Sequence, residues 1–144
     1  MTINLASIPP DGRHRYAIRV YYEDTDAGGV VYYANYLRFF ERARTERLRA
    51  LGFEQDVLRS ELGLLFAVRS VQAEYLKPAR FNDSLRVSAE LSELRRASLN
   101  FRQEILRGDE LLCRAEIRVV CLADPSFKPT AIPDHLLQRI SDVL

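Results

Sequence analysis

A chain of 144 residues with 47% hydrophobic and 28% charged side chains has ordinary globular composition and is long enough to bury a core of its own. Its net charge of +1 supplies no basic face for a polyanion, which excludes a nucleic-acid module of the usual kind. No apolar run approaches the roughly 18 residues of a spanning helix, and MTINLASIPPDGRHRY lacks a basic segment followed by an apolar one, so a single-domain, soluble cytoplasmic protein without a signal peptide is expected.

Residues 1–14 carry Pro9, Pro10 and Gly12 without a period and read as a loose lead-in. From Arg15 to Tyr22, the residues Tyr16, Ile18, Val20 and Tyr22 alternate with Arg15, Ala17, Arg19 and Tyr21, the pattern of a strand with one buried face. The turn EDTDAGG follows. A long helix is expected from Tyr33 or Asn35 to Leu51, with Gly52 as its C′ residue, and a short one over 54–61 that ends at Gly63. Strands over 64–76, 84–94, 98–106 and 111–122 come next, with Arg107-Gly108-Asp109-Glu110 as a hairpin turn. Pro125, Pro129 and Pro133 then break the chain before a terminal helix over 134–143. One strand, one long helix and a run of strands with short connections favour an antiparallel α+β sheet with the helix packed on it.

The face of that helix can be counted. At about 100° per residue, Tyr36, Leu37, Phe39, Phe40, Ala43, Leu48 and Leu51 share an arc of about 180°. An arc so wide predicts a helix wrapped by a curved sheet. Arg44 points into it, and an unpaired buried guanidinium is costly, so the expectation is a carboxylate partner or a place at the edge of the wrap. Cys113 and Cys121 share one strand and stand about 26 Å apart, beyond disulfide reach, and without a histidine cluster they make a poor zinc site. They read as core residues.

Chemistry concentrates in the turn. Glu23, Asp24 and Asp26 form an acidic cluster that admits three roles. Aspartates bond to their own turn backbone. Three acids can hold a metal, although EF-hand spacing is absent and the two histidines, His14 and His135, lie elsewhere. The third role is a catalytic carboxylate beside a helix N-terminus. Gly28 and Gly29 allow close backbone approach and positive φ, and the free N–H groups of a helix start can hold a developing oxyanion. A carboxylate opposite them can attack a carbonyl or activate water. Acyl transfer or hydrolysis is therefore permitted.

YYEDTDAGGVVYYANYLRFFERARTERLR resembles the signature of the Tol-Pal-associated acyl-CoA thioesterases, within the 4-hydroxybenzoyl-CoA thioesterase group of hotdog-fold proteins. The resemblance continues through EYLKPARFND, RASLNFRQEI, AEIRVVCLAD and KPTAIP, and so spans about residues 15–133. It implies a hotdog: a curved antiparallel sheet around one long helix, with two subunits paired edge to edge in a homodimer or homotetramer. It implies acyl-CoA hydrolysis without a cofactor or metal. Asp26 falls on the family's catalytic carboxylate, Asp24 becomes structural, and the Tyr33 backbone N–H matches the donor to the thioester carbonyl. Many members carry histidine at the position of Tyr33, so any mechanism that needs an imidazole there is excluded; the aromatic residue is closer to the 4-hydroxybenzoyl-CoA branch. Arg95 and Arg96 match the basic pair that receives the phosphates of CoA, with Ser98 beside them, though a solvated hairpin turn explains the arginines equally. A link to Tol-Pal envelope or lipid-synthesis proteins also follows from the resemblance. The rival readings are a non-catalytic acyl-thioester or partner-binding protein and an acyl-thioester dehydratase, which would need a histidine.

Overall fold

The computed structural model describes residues 15–143, so the expected lead-in lies outside the described residues. The elements in order are β1 (Arg15–Arg19), a short 3₁₀ turn (Tyr22–Asp24), α1 (Asn35–Ala50), α2 (Gln55–Leu62), β2 (Leu64–Tyr75), β3 (Ser84–Ser88), β4 (Glu90–Leu94), β5 (Ser98–Arg107), β6 (Glu110–Ala123) and α3 (Asp134–Ser141). The six strands form one antiparallel sheet in the order β1-β3-β5-β6-β2, with β4 also paired to β5. This is the α+β arrangement that the element order favoured.

Strict alternation builds the inner face. Leu99, Phe101, Gln103 and Ile105 of β5 stand opposite Val119, Ile117, Ala115 and Cys113 of β6, and all eight are buried. The two strands are joined across Gly108, whose φ of +61° is the left-handed conformation that the turn requires. On β2 the apolar period slips. Leu64, Phe66 and Val68 pair with inward residues of β6, the register shifts at Arg69, and then Val71, Ala73 and Tyr75 take the inward positions. A bulge of one residue thus keeps a single face apolar along twelve residues. The outer face carries exposed ion pairs such as Arg102–Glu116 at 2.9 Å and Arg114–Glu74 at 3.2 Å, and turns apolar where Leu65 and Ala67 pair with Leu122 and Val120.

Helix α1 buries Tyr36, Phe39, Phe40, Ala43, Arg44 and Leu48. Gly52 follows it with φ +94°, and Gly63 caps α2 with φ +63°. Cys113 and Cys121 are free thiols in the core.

Four expectations need correction. The first strand stops at Arg19, because the N–H of Val20 bonds to Asp83 O and that of Tyr21 turns aside to Asp24 Oδ2. Tyr22 is therefore 76% exposed, not inward-facing. The strand expected over 84–94 divides at Ala89 into β3 and β4. Leu37 is half out of the core, at the edge of the helix face. Arg44 lies inside the wrap at 8% exposure, and its partner is an amide: Nη1 donates to Gln103 Oε1 at 3.0 Å. A second inward arginine went unread. The direction of Arg47 falls between Tyr36 and Phe40, and its buried Nε has no hydrogen-bond partner among the described residues.

Candidate active site

The acidic turn is a very small hairpin. Thr25 and Val31 form a bridge, the N–H of Asp26 bonds to Val30 O at 2.9 Å, and that of Gly29 returns to Asp26 O at 3.0 Å. Asp26 Oδ1 accepts from the Gly28 N–H at 2.8 Å, while Oδ2 has no protein partner among the described residues. The two glycines serve different needs. Gly29 has φ +78°, a conformation that side chains disfavour. At Gly28 an added Cβ would stand 3.2 Å from Asp26 Oδ1, so its bareness gives the carboxylate room.

Asp24 holds the turn together. Its Oδ2 accepts the Tyr21 N–H at 2.8 Å, and its carbonyl accepts both the Tyr32 N–H at 3.0 Å and the Asn35 side-chain amide at 2.9 Å. Asn35, which the sequence did not single out, thereby ties the first residue of α1 back to the acidic turn. The helix begins immediately after Tyr33 and Ala34, whose N–H groups bond to no acceptor among the described residues. Such groups at a helix start carry partial positive charge. An exposed carboxylate and uncommitted donors therefore occupy the two ends of one short loop.

Aromatic rings surround it. Tyr33 packs edge-on to Tyr75 at 6.2 Å, Tyr75 to Tyr36 at 5.3 Å, and Tyr22 stacks on Phe81 at 4.0 Å. Tyr75 escaped the sequence reading because only the bulge in β2 turns it inward. The Tyr36 hydroxyl accepts the Ala79 N–H at 2.9 Å, and Ala79 O accepts the Val31 N–H at 2.8 Å, which locks the loop to the β2–β3 connection. Burial raises the Tyr36 hydroxyl above the usual phenol range against the opposing effect of the Ala79 N–H. Burial does the same to Tyr75.

Arg95, Arg96 and Ser98 are not brought to this place. They sit at the β4–β5 turn, where Arg95 and Arg96 line an open cleft of about 500 Å³ with Asp134, Leu137 and Gln138 of α3. Arg95 is engaged with Glu93 at 2.6 Å and holds that carboxyl below its usual range. Arg96 is exposed and makes no side-chain bond among the described residues. Ser98 stands outside the cleft, half-buried and paired with Val120, whereas Tyr75 is paired with Cys113. Seven residues of β6 thus separate the two levels, about 23 Å within one chain.

Residues 20–140 match the sequence pattern of the thioesterase-like superfamily. The chain belongs to that superfamily. Among thioesterase-like proteins it is similar to the acyl-CoA thioesterase YbgC of Haemophilus influenzae, at 46% identity over 126 residues that cover 88% of this chain and 93% of the relative. It is 47% identical over 124 residues to the acyl-CoA thioester hydrolase YbgC of Escherichia coli O6:H1, covering 85% and 92%. The crystal structure of a probable thioesterase from Bartonella henselae superposes with a TM-score of 0.81 at 36% identity, covering 84% of this chain and 99% of that one. The thioesterase-like fold of this chain is the hotdog.

Proposed function

We propose that this protein hydrolyses acyl-CoA thioesters to a carboxylic acid and free CoA. Asp26 acts as nucleophile or general base, and the Tyr33 backbone N–H polarises the carbonyl. The observation that carries this is the pairing of an open Asp26 Oδ2 with uncommitted N–H groups at the start of α1. A thioester oxygen held by those donors gains negative charge in the transition state, where fixed dipoles act most strongly. The carboxylate then either attacks the carbonyl carbon, giving an anhydride that water opens, or takes a proton from attacking water. In both routes the thiolate leaves and is protonated to free CoA. The likeness to the two acyl-CoA-hydrolysing relatives supports the substrate class.

On this reading the working unit is a homodimer or a tetramer built from it. Among the described residues β2 is an edge strand with no partner on its outer side. Two β2 edges paired antiparallel about a twofold axis near the bulge would set the Tyr75 end of one copy beside the Leu64 end of the other. The second copy's Arg95–Arg96 cleft then comes to the Asp26 end, where guanidinium groups suit the phosphates of CoA.

A free-thiol release assay over short, long and aromatic acyl-CoAs tests this with the wild type and Asp26→Asn. Asparagine keeps an oxygen for the Gly28 N–H, so the turn survives. Release from at least one class, and a loss of about 100-fold or more in the variant with an unchanged Tm, is the expected result. Equal turnover by the variant removes Asp26 from the mechanism. No release by the wild type favours a binding protein.

A further inference from the structure

The acidic turn and the β2–β3 connection make a small three-stranded patch. Thr25 stands opposite Val31, and Val30 opposite Arg80. The hydrogen bonds from the Asp26 N–H to Val30 O and from the Val31 N–H to Ala79 O continue the same register, so Asp26 lies opposite Val30 and Val31 opposite Ala79. Residues opposite one another share a face, and successive residues alternate between faces. The row of Thr25, Val31 and Ala79 turns inward, with Val31 and Ala79 in the core. The next row, Asp26, Val30 and Arg80, therefore turns outward, with Asp26 and Arg80 exposed and Val30 half-buried between them.

Arg80 is held by its backbone and left open at its side chain. Its N–H donates to Asp83 Oδ2 at 2.8 Å and its carbonyl accepts the Asp83 N–H at 3.1 Å, while the preceding Ala79 is fixed by the Tyr36 hydroxyl and Val31. Charged groups nearby are committed elsewhere: Asp24 to the Tyr21 N–H, Asp83 and Glu110 to Arg107, Lys77 to Glu110, and Arg19 to Asn82 O. The Arg80 guanidinium makes no hydrogen bond or ion pair among the described residues, and neither does the exposed carboxylate of Glu23 in the turn. A cation with five donors thus stands two strand spacings, about 10 Å along the backbone patch, from Asp26, with an apolar residue between them.

We infer that this row receives a dicarboxylic acyl group, with the thioester at Asp26, the methylenes over Val30 and the distal carboxylate on Arg80. This rests on the reading of Asp26 and Tyr33 as the hydrolytic site. A guanidinium matches a carboxylate through paired, charge-assisted hydrogen bonds. Without Arg80 such a group would meet the repulsion of Glu23, Asp24 and Asp26. Succinyl, glutaryl and adipyl groups place the distal carboxyl carbon about 4–6 Å from the thioester carbon, which spans the row once a contact of about 3 Å is added at each end. The phosphates of CoA are the other anions of such a substrate, but about thirteen bonds of pantetheine, ~16 Å when extended, separate them from the thioester sulfur. The carboxylate of the acyl group is therefore the anion that Arg80 can reach.

Thiol-release kinetics on succinyl-, glutaryl- and adipyl-CoA, each against the uncharged acyl-CoA of equal carbon number, test the inference. At one length or more, the ratio of kcat/KM for the dicarboxylic over the uncharged substrate is expected to fall about tenfold or more in Arg80→Gln, chiefly through KM, and to recover in part in Arg80→Lys. An unchanged ratio at every length overturns it, as does a wild type that hydrolyses the uncharged set and no dicarboxylic member. The same fall is expected with the pantetheine thioesters, which carry no phosphate; its absence there assigns Arg80 to CoA and overturns the inference. Arg80→Gln is expected to elute with the wild type in size exclusion, and a shift reassigns Arg80 to a subunit contact and overturns it too. Non-hydrolysable thioether analogues separate this site from the catalysis. On Asp26→Asn protein, adding Arg80→Gln is expected to weaken the glutaryl analogue relative to the pentanoyl one. That weakening supports the row even where Asp26 proves dispensable, and its absence overturns the row even where Asp26 is essential.

Discussion

Arg44 donates to Gln103 Oε1 at 3.0 Å, and Gln103 Nε2 in turn donates to Phe40 O and Ser88 O, each at 3.0 Å. One fully buried amide thus joins the central helix to β3 and β5 and satisfies a buried cation without a countercharge. Burial still lowers the pKa of Arg44, with the more distant Glu41 opposing. Gln103→Leu would take the amide partner from the buried guanidinium and a donor from each of two carbonyls, so a loss of about 3 kcal/mol is expected in denaturant unfolding. Arg44→Met combined with Gln103→Leu removes the orphaned charge, and the double variant is expected to be more stable than Gln103→Leu alone. If the two effects simply add, the coupling does not exist.

The two turn glycines give opposite signatures. At Gly29 there is open space but a φ of +78°, so alanine strains the backbone by about 1 kcal/mol and is read as a lower Tm. At Gly28 φ is not positive, but a Cβ would press on Asp26 Oδ1 at 3.2 Å. Gly28→Ala is expected to lower kcat by about tenfold or more with little change in Tm, since small displacements of a reacting group are expensive. The reverse pattern would place the strain at Gly28 and leave the Asp26 carboxylate undisturbed.

Much of the sheet was readable because β5 and β6 keep strict alternation and their faces follow from period two alone. The bulge at Arg69 was not readable, since nothing in LLFAVRSVQAEY says which residue the partner strand will skip. Tyr75 depends on that skip and was lost with it. Tyr22 was misread for a related reason: alternation continues through it, but Asp24 captures the Tyr21 N–H and ends the strand. The helical count found Arg44 on the inner face. It could not tell a carboxylate from an amide as the partner, because Gln103 is 59 residues away in sequence. At the candidate site the motif located the acidic turn and the helix start together. The basic pair was placed by resemblance only, and in one chain it lies at the far end of the sheet.

The Tyr36 hydroxyl offers a test of how the loop is held. It accepts the Ala79 N–H at 2.9 Å, and Ala79 O holds Val31, at the arm of the turn opposite Thr25. Tyr36→Phe retains the ring contacts with Phe39 and Tyr75 but strands a buried N–H, at a cost of about 1–2 kcal/mol. With the turn less firmly fixed, kcat is expected to fall several-fold and KM to change little. An unchanged kcat alongside the lower stability would show that Tyr36 supports only the core.

Cys113 predicts how stability responds to alkali. Burial pushes its thiol up to about 12, and the thiol of Cys121 is raised by the same cause. In the unfolded chain both thiols ionise near their ordinary value of about 8.5. Above that pH the unfolded state binds fewer protons than the folded one, so stability falls as pH rises and continues to fall up to the folded pKa. Each buried thiol approaches a slope of about 1.4 kcal/mol per pH unit. Between about pH 8.5 and 9.5, below the tyrosine range, urea midpoints should decline. Cys113→Ala is expected to make that decline shallower whatever its effect on stability at neutral pH. Identical slopes in wild type and variant would mean that the Cys113 thiol ionises as freely in the folded protein as in the unfolded one.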